Sequence, residues 1–404
     1  MTILPKNAGV DELARATQTG GMPSPTEPQD RNTRDAAPMS TPARIVESDG
    51  RVHTGWFDRP FVDASLDAAP VVHPLSRLRG TPFAPIERAF SALRLKQWHY
   101  TSVVTDKLLF ACAVVDAGYL GNAFAYVVCR QTGETYEYST LTPGAAGITI
   151  AANSIDGTTS IRWPGFGTLA LHNDSARGER RIVANLVGRK HFGARPPLVA
   201  DILIRDNGRK PEPIIVVEES APGRWIYTHK CYALEASGTL RAGTLGDAFA
   251  VGEGLAGIDY NRGHRVRETY WNWAAASGHA TEGTRIGWNL TMGLRPDEPP
   301  SSGGDGAGES ALWLGDACVK LGSVHFEYDN RELMKPWRIR DLEGLVDLTF
   351  APVGERAEDI NAGILVSRFH QPYGRFSGTL RRRDGATFTL DNVYGVVEQH
   401  FAKW

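Results

Sequence analysis

Cysteine and long apolar runs are scarce in this sequence. The first argues against a disulfide-rich protein, and the second argues against an integral membrane protein. The 404 residues include four cysteines, at positions 112, 129, 231 and 318, and none has the spacing of a zinc site. Because Cys112 and Cys129 lie in apolar, strand-like runs, we expect buried thiols rather than a disulfide scaffold. There is no run of about 18 apolar residues and no apolar signal core, which predicts a cytoplasmic protein without integral membrane insertion.

Motifs for nucleotides, metals and activated nucleophiles are also absent. The sequence contains no G-x-S-x-G, G-x-x-x-x-G-K-[ST], H-E-x-x-H or strand-then-helix G-x-G-x-x-G pattern. The net charge of −2 removes the electrostatic argument for nucleic acid, and the short basic run at Arg381–Arg383 leads into a hairpin-like Asp-Gly turn. We therefore predict no cofactor, no metal and no nucleic-acid partner.

Glycine and proline, by contrast, are abundant and separate many short β-branched or aromatic runs. The chain has 43 glycines and 24 prolines, and no stretch of more than about a dozen residues carries a helical apolar period. This texture predicts an all-β protein with roughly eighteen to twenty strands, which fits two tandem antiparallel β-barrels or sandwiches. Residues 1–42 have almost no aromatic side chains and are predicted to be a disordered N-terminal tail.

The clearest strand pattern predicts an antiparallel meander over residues 98–139, with strands at Trp98–Val104, Leu108–Val115, Phe124–Arg130 and Glu134–Ser139. A break at Ser220–Gly223 predicts a boundary between an N-terminal β domain at 43–223 and a C-terminal β domain at 224–404. A stretch at Asp297–Gly308 has no large apolar residue and is predicted to be a flexible insertion.

Residues 257–274 combine a dense set of ionisable groups with a strand that carries two tryptophans. We interpret Asp259-Tyr260 as part of a turn that opens into an apolar cavity, ahead of a strand at Thr269–Ala274. A carboxyl held protonated by an apolar pocket is suited to general acid catalysis. A purely structural turn remains the alternative.

Several spaced motifs resemble those of one known family. They are Trp98-His99-Tyr100, Asp116-Ala117-Gly118-Tyr119-Leu120-Gly121, Asp259-Tyr260-x-Arg262-Gly263, Thr269-x-Trp271-x-Trp273-Ala274, Gly374-x-Phe376-Ser377-Gly378 and Gly395-x-x-Glu398. In this order they resemble the DUF2804 family over residues 45–404. That family has no agreed reaction, so the resemblance implies organisation rather than chemistry.

The chain is more distantly similar to two-domain calycin-like proteins such as carotenoid hydratases and tocopherol cyclase. This similarity implies two lipocalin-like barrels side by side, with an apolar ligand between or inside them. It is an analogy of fold, and a fold does not determine a function.

The candidate site residues come from these motifs and from nearby aromatic positions. The candidate catalytic residues are Asp259, Tyr260, His264 and Glu268. The candidate substrate-binding residues are Trp98, Tyr100, Asp116, Tyr119, Arg262, Arg267, Trp271, Trp273 and Trp288. The structural alternatives are turn capping for Asp116 and Asp259, a structural salt bridge for Arg267 and Glu268, and core packing for the tryptophans.

Three functions remain open at this stage. The first is a cofactor-independent acid–base enzyme, a lyase or isomerase that hydrates, dehydrates, isomerises or cyclises a small hydrophobic or terpenoid-like molecule. The second is a carrier of lipids or other hydrophobic ligands. The third is a carbohydrate-active enzyme with paired carboxylates. The oligomeric state is also open, and a homodimer is one alternative.

Overall fold

The computed structural model describes residues 37–187, 196–243, 245–294, 308–361 and 365–404. The predicted tail up to residue 36 and the predicted insertion from 297 to 307 lie outside the described residues. The described part is almost entirely β, in two curled antiparallel sheets that each form a half-barrel. The predicted fold class is therefore confirmed.

The first sheet is formed by thirteen strands in the described residues. They are β1 Gly55–Phe57, β2 Leu95–Val104, β3 Leu108–Asp116, β4 Leu120–Cys129, β5 Thr135–Pro143, β6 Ile148–Thr149, β7 Asp156–Trp163, β8 Gly167–Asp174, β9 Glu179–Leu186, β10 Leu198–Arg205, β11 Ile214–Ala221, β12 Arg224–Ala242 and β13 Leu245–His264. The strands pair in the order β5-β4-β3-β2-β13-β12-β10-β9-β8-β7-β6, and in addition β11 pairs with β12 and β1 with β11. The predicted meander is confirmed as β2 to β5.

The second sheet is formed by nine strands of the described part of the chain. They are β14 Glu268–His279, β15 Arg285–Leu294, β16 Ala311–Leu314, β17 Ala317–Lys320, β18 Val324–Glu327, β19 Trp337–Asp341, β20 Val346–Asn361, β21 Val366–Arg381 and β22 Thr387–Lys403. They pair in the order β17-β16-β15-β14-β22-β21-β20-β19-β18. The chain changes sheet between His264 and Glu268. The predicted boundary near residue 223 lies in the turn between β11 and β12 of the first sheet, and the division into folding domains stays a prediction.

The described residues contain one α-helix, α1 at Ala84–Arg94, which lies between β1 and β2, and a 3-10 turn at Ser76–Leu78 comes before it. The helix has a proline in its first turn and ends where Leu95 becomes extended. Its last turn packs on the β3–β4 turn, where a Cβ on Gly118 would come 2.3 Å from the Leu93 carbonyl oxygen. Only glycine fits this position, which also has φ +82°.

Three apolar clusters show how the layers pack. One lies within the second sheet and another joins residues 45–71 to the outer face of β11–β13. The largest lines the first sheet and includes Trp273, Trp313 and Tyr373 of the second sheet. The two half-barrels are therefore joined by a shared, largely aromatic seam.

The interpretation of Asp259-Tyr260 as a turn is wrong. Strand β13 continues through His264 and pairs with β2 and β12 on its two sides. Glycines at 257 and 263 allow close packing within a continuous strand here, since a Cβ on Gly257 would lie 2.2 Å from the Tyr232 ring.

Candidate functional site at the seam between the sheets

A buried ionic cluster lies at the seam, centred on Lys230. Asp259 has a cross-strand partner on each side, Lys230 on β12 and Tyr100 on β2. The three side chains therefore share the face of the first sheet that contacts the second sheet. Lys230 Nζ lies 3.0 Å from Asp259 Oδ2 and 2.8 Å from Glu309 Oε1. Lys230 is 3% exposed and Asp259 6% exposed, so both ions are held away from bulk water.

Polar side chains of the second sheet complete this cluster. Lys230 Nζ donates to Asn289 Oδ1 at 3.1 Å, and Trp273 Nε1 donates to the same oxygen at 2.6 Å. Asn289 Nδ2 donates to the Glu309 carbonyl oxygen, and Thr291 Oγ1 donates to Glu309 Oε1 at 3.0 Å. Glu309 is therefore anchored on two sides, which leaves Asp259 as the less constrained carboxylate.

The three ionisable groups differ in how the protein shifts their pKa. Burial and the nearby Glu309 charge together raise the pKa of Asp259 to about 6, although the Lys230 ammonium acts to lower it. Burial alone would lower the pKa of Lys230 and raise that of Glu309, but their ion pairing reverses both shifts. At neutral pH the cluster has one cation between two carboxylates, and Asp259 is the member that takes up a proton near physiological pH.

Three buried oxygen atoms of the first sheet at this seam have no hydrogen-bond partner in the described residues. They are Asp259 Oδ1 and the hydroxyls of Tyr100 and Tyr232, and Tyr232 is close enough to Asp259 for its pKa to be affected by that charge. Unpaired polar atoms in a buried position are rare and are expected where a polar group of a ligand or a water binds. All three atoms belong to the same patch of the first sheet.

Aromatic rings form the wall beside the ionic cluster. Tyr100 meets Trp273 edge to face with ring centroids 5.3 Å apart, and Trp98 stacks on Trp271 at 6.4 Å. The Arg265 guanidinium lies 4.4 Å from the Trp98 ring centroid, and its Nη2 donates to Asn261 Oδ1 at 2.8 Å. The wall thus runs from the ionic cluster to a cationic edge at Arg265.

The carboxylate of Glu398 fixes the position of this aromatic wall. Glu398 accepts from Trp271 Nε1 at 2.8 Å and from Gln371 Nε2 at 2.9 Å, and Tyr126 in turn donates to Gln371. His400 packs on Trp271 at 4.2 Å. Because donors occupy both oxygens of Glu398, this carboxylate is suited to positioning Trp271 rather than to moving a proton.

The structure brings five of the sequence-predicted site residues together at the seam: Trp98, Tyr100, Asp259, Trp271 and Trp273. They come from three different strands of two sheets. Their grouping follows from the alternation of side chains along β2, β13 and β14.

Three other predicted residues lie on the opposite face of β13, because alternate residues of a strand face opposite sides. Tyr260 donates from its hydroxyl to the Ala151 carbonyl oxygen at 2.8 Å, and Arg262 Nη1 donates to the Ala152 carbonyl oxygen at 2.6 Å. His264 is buried beside Arg262, and burial together with nearby arginines lowers its pKa to about 3. The structure therefore does not bring Tyr260 or His264 to Asp259 as proton partners.

The remaining predicted residues lie elsewhere. Glu268 is exposed and pairs with Lys403 at 2.8 Å, and Arg267 is exposed beside it. Asp116 accepts from the Gly118 N–H at 2.7 Å and caps the turn. Lys96 Nζ lies 4.3 Å from the Tyr119 ring centroid near the end of α1. Trp288 is buried in the core of the second sheet, edge to face with Phe376.

Sequence reasoning missed four residues of the cluster: Lys230, Asn289, Arg265 and Glu309. Lys230 carried a signal, because a lysine within a long apolar strand is rarely buried unless it is paired. Glu309 carried none, since it directly follows the glycine-rich segment that predicts an insertion.

Neither a group of metal-ligating side chains nor a membrane-spanning helix is found in the part of the chain that the structure describes. There, no three or more His, Cys, Asp or Glu side chains are grouped to hold a metal ion. No helix there is long and apolar enough to cross a membrane.

The chain matches the profile of one sequence family. The profile of DUF2804, described as a domain of unknown function, matches residues 36–404. This chain is a member of the DUF2804 family. No curated protein matches the sequence.

Two solved structures are similar to this DUF2804 chain. One is a protein of Nitrosomonas europaea provisionally named ATTH, with a TM-score of 0.43, 14% identity and coverage of 76% of this chain and 92% of that chain. The other is kievitone hydratase from Nectria haematococca, with a TM-score of 0.46, 13% identity and coverage of 84% of this chain and 97% of that chain.

Proposed function

We propose that this protein is an acid–base enzyme that acts on a small hydrophobic molecule at the seam between its two sheets. The observation that carries the proposal is the Asp259 carboxyl group. It is buried with Tyr100 as its cross-strand neighbour, one oxygen is held by Lys230 and the other oxygen has no partner in the described residues. A carboxyl group in this setting is suited to give a proton to a substrate and to take it back.

The shifted pKa of Asp259 supports this role. With a pKa of about 6, roughly a tenth of the Asp259 side chains are protonated at pH 7, whereas an ordinary aspartate is almost fully ionised. After proton transfer, the Lys230 ammonium at 3.0 Å stabilises the carboxylate that remains. The Tyr100 and Trp273 rings supply apolar and π surface for a substrate that develops positive charge.

The reaction type that suits these groups is hydration, dehydration, isomerisation or cyclisation. In a hydration, the Asp259 proton forms a C–H bond at one alkene carbon, and water adds to the other carbon and loses a proton to the Asp259 carboxylate. Nothing is oxidised or reduced, and the acid is regenerated. The Tyr232 hydroxyl, which has no partner in the described residues, is available to hold the water or a substrate oxygen.

The two alternative functions receive less support. A carrier of hydrophobic ligands has no need of ionisable groups that converge in its cavity, yet Lys230, Asp259 and Glu309 meet here. A glycosidase needs its substrate bond between two carboxyl groups, but the Lys230 ammonium contacts both Asp259 and Glu309 at 3.0 and 2.8 Å.

The experiment compares the wild type with Asp259→Asn and a surface control, Asp201→Asn. Small molecules that copurify with each protein are identified by mass spectrometry and then incubated with fresh enzyme. We expect the wild type and the control to convert the molecule, for a hydratase with a gain of one water. We expect Asp259→Asn to bind it within about tenfold of the wild-type affinity but to convert it about 10²- to 10⁴-fold more slowly. Conversion by Asp259→Asn at the wild-type rate would overturn the proposal.

A further inference from the structure

A second group of basic side chains lies on the face of β13 that points away from the seam. Arg262 and His264 are two residues apart and therefore share this face. Arg94, the last residue of α1, directly precedes Leu95, which pairs with His264. The end of the helix thus brings a third basic side chain to this end of the first sheet.

Arg224 completes the group from the other neighbouring strand. It begins β12 two residues before Ile226, which pairs with Gly263. The positive charge of Arg94 acts with burial to lower the pKa of Arg224, and both arginines act with burial to lower the pKa of His264. Arg262 acts on the same imidazole, so His264 lies close to all three guanidinium groups.

Each of these four side chains has a buried nitrogen without a partner. The atoms are Arg94 Nε, Arg224 Nη1, Arg262 Nε and His264 Nδ1, and none forms a hydrogen bond within the described residues. Among those residues the three arginines also form no ion pair. A buried guanidinium group such as that of Arg262 is costly without an anion, because the desolvation of its charge is not offset.

A neighbouring arginine shows how this chain satisfies a guanidinium when a carboxylate is at hand. Arg79 donates to Glu87 Oε1 through Nε at 2.8 Å and through Nη2 at 2.6 Å. His73 Nε2 contacts the same oxygen at 2.9 Å. Glu87 therefore binds Arg79 and His73, and in the described residues no carboxylate forms an ion pair with Arg94, Arg224 or Arg262.

We propose that Arg94, Arg224, Arg262 and His264 form a binding site for an oxyanion of the phosphate class. Guanidinium forks match phosphate oxygens in geometry, and a dianion offsets three positive charges better than a single carboxylate does. This site is separate from the proposed acid–base site, since Arg262 and His264 lie on the face of β13 opposite to Asp259.

The burial pattern suits a ligand that enters from solvent. Arg262 is 8% exposed and is fixed by its bond to the Ala152 carbonyl oxygen at 2.6 Å. Arg94 and Arg224 are partly exposed and come from the ends of two different elements. The site therefore combines one rigid arginine at its base with two at its entrance.

Isothermal titration of the full chain with inorganic phosphate, at constant ionic strength set with sodium chloride, tests the proposal. We expect saturable binding by the wild type, a loss of at least about tenfold in affinity for Arg94→Gln and for Arg224→Gln, and a larger loss for the double variant. The control Arg177→Gln removes an exposed arginine elsewhere and should bind as the wild type does. Thermal unfolding in phosphate and in chloride gives a second readout, because a ligand that binds only the folded state raises Tm.

Two further arms separate the sources of the phosphate group and the two proposals. Cosedimentation with vesicles of phosphatidylcholine, with and without phosphatidic acid, tests a lipid headgroup, whereas inorganic phosphate and a phosphate monoester test a free ligand. Asp259→Asn should keep wild-type phosphate affinity even if it loses activity. Equal phosphate binding by the wild type and the double variant, or no binding of any of these probes by the wild type, would overturn the site.

Discussion

Buried charged and polar groups are paired differently on the two faces of β13. On the seam side, Asp259 meets Lys230 at 3.0 Å within a network that also includes Asn289 and Glu309. On the outer side, Arg262 and His264 each keep a buried nitrogen that has no partner in the described residues. The same strand thus supports a cluster of paired opposite charges on one face and a basic group without a paired carboxylate in the described residues on the other. Local sequence therefore does not determine how a charge is balanced.

Replacement of Lys230 by methionine should have the largest effect on stability. The change leaves Asp259 and Glu309 buried close together without their shared cation, and loss of one partner of a buried ion pair costs about 3 to 5 kcal/mol. Urea denaturation gives the free energy of unfolding. Lys335→Met, which removes an exposed pair, should leave it close to the wild-type value. A loss below 1 kcal/mol for Lys230→Met would show that the cluster is not a stabilising unit.

The pH dependence of stability should differ between wild type and Asp259→Asn. The folded pKa of Asp259 is about 6 and its ordinary value is 3.8, so the folded state holds this proton more tightly than the unfolded state. The contribution is fully present below about pH 4 and is lost as the pH rises through about 6, by roughly 3 kcal/mol over the two units. Unfolding free energies of both proteins from pH 4 to 8 check this, and parallel curves would contradict it.

His264 on the outer face should give a slope of the opposite sign. Its folded pKa is about 3, below the ordinary 6.5, so the unfolded state takes up a proton first. The stability contributed by neutral His264 is present above about pH 6.5 and is lost as the pH falls, by about 2 kcal/mol at pH 5. In chloride buffer, His264→Gln should lose less stability than wild type between pH 7 and 5. An equal acid-induced loss in both proteins would count against a buried neutral imidazole.

Replacement of Glu268 by glutamine should have the smallest effect. The residue is a catalytic candidate by sequence, yet its side chain is 47% exposed and pairs with Lys403 at the surface. Exposed ion pairs contribute about 0 to 1 kcal/mol, so we expect a change within about 0.5 kcal/mol and unchanged turnover of any substrate identified. A loss of activity comparable to that of Asp259→Asn would move the reaction to this surface.

The strands that sequence reasoning located best are those with simple alternation. The meander from Trp98 to Ser139 is an example, because its turns are marked by glycine and polar residues. Errors arose where glycine has a packing role instead of a turning one, as at Gly257 and Gly263 within β13. Helix α1 was missed because eleven residues carry too little periodicity to stand out.

The candidate site was only partly predictable for a related reason. Sequence patterns single out Asp259, Trp271 and Trp273, since an acidic residue and paired indoles are visible in one stretch. Lys230 and Glu309 are 79 residues apart and belong to different segments, so no local pattern links them. Predicted proton partners next to Asp259 in sequence, such as Tyr260, lie on the wrong face because side chains alternate along a strand.

The sequence by itself determined that the chain is all-β, where most strands lie and which residue types are available for chemistry. It did so because turn residues and a period of two act over a few neighbouring residues. Only the tertiary structure decided that Asp259 meets Lys230 while Arg262 and His264 lie beside Arg94 and Arg224. Strand register and the packing of one curled sheet on the other determine these contacts. Both depend on the simultaneous burial of apolar side chains along the whole chain.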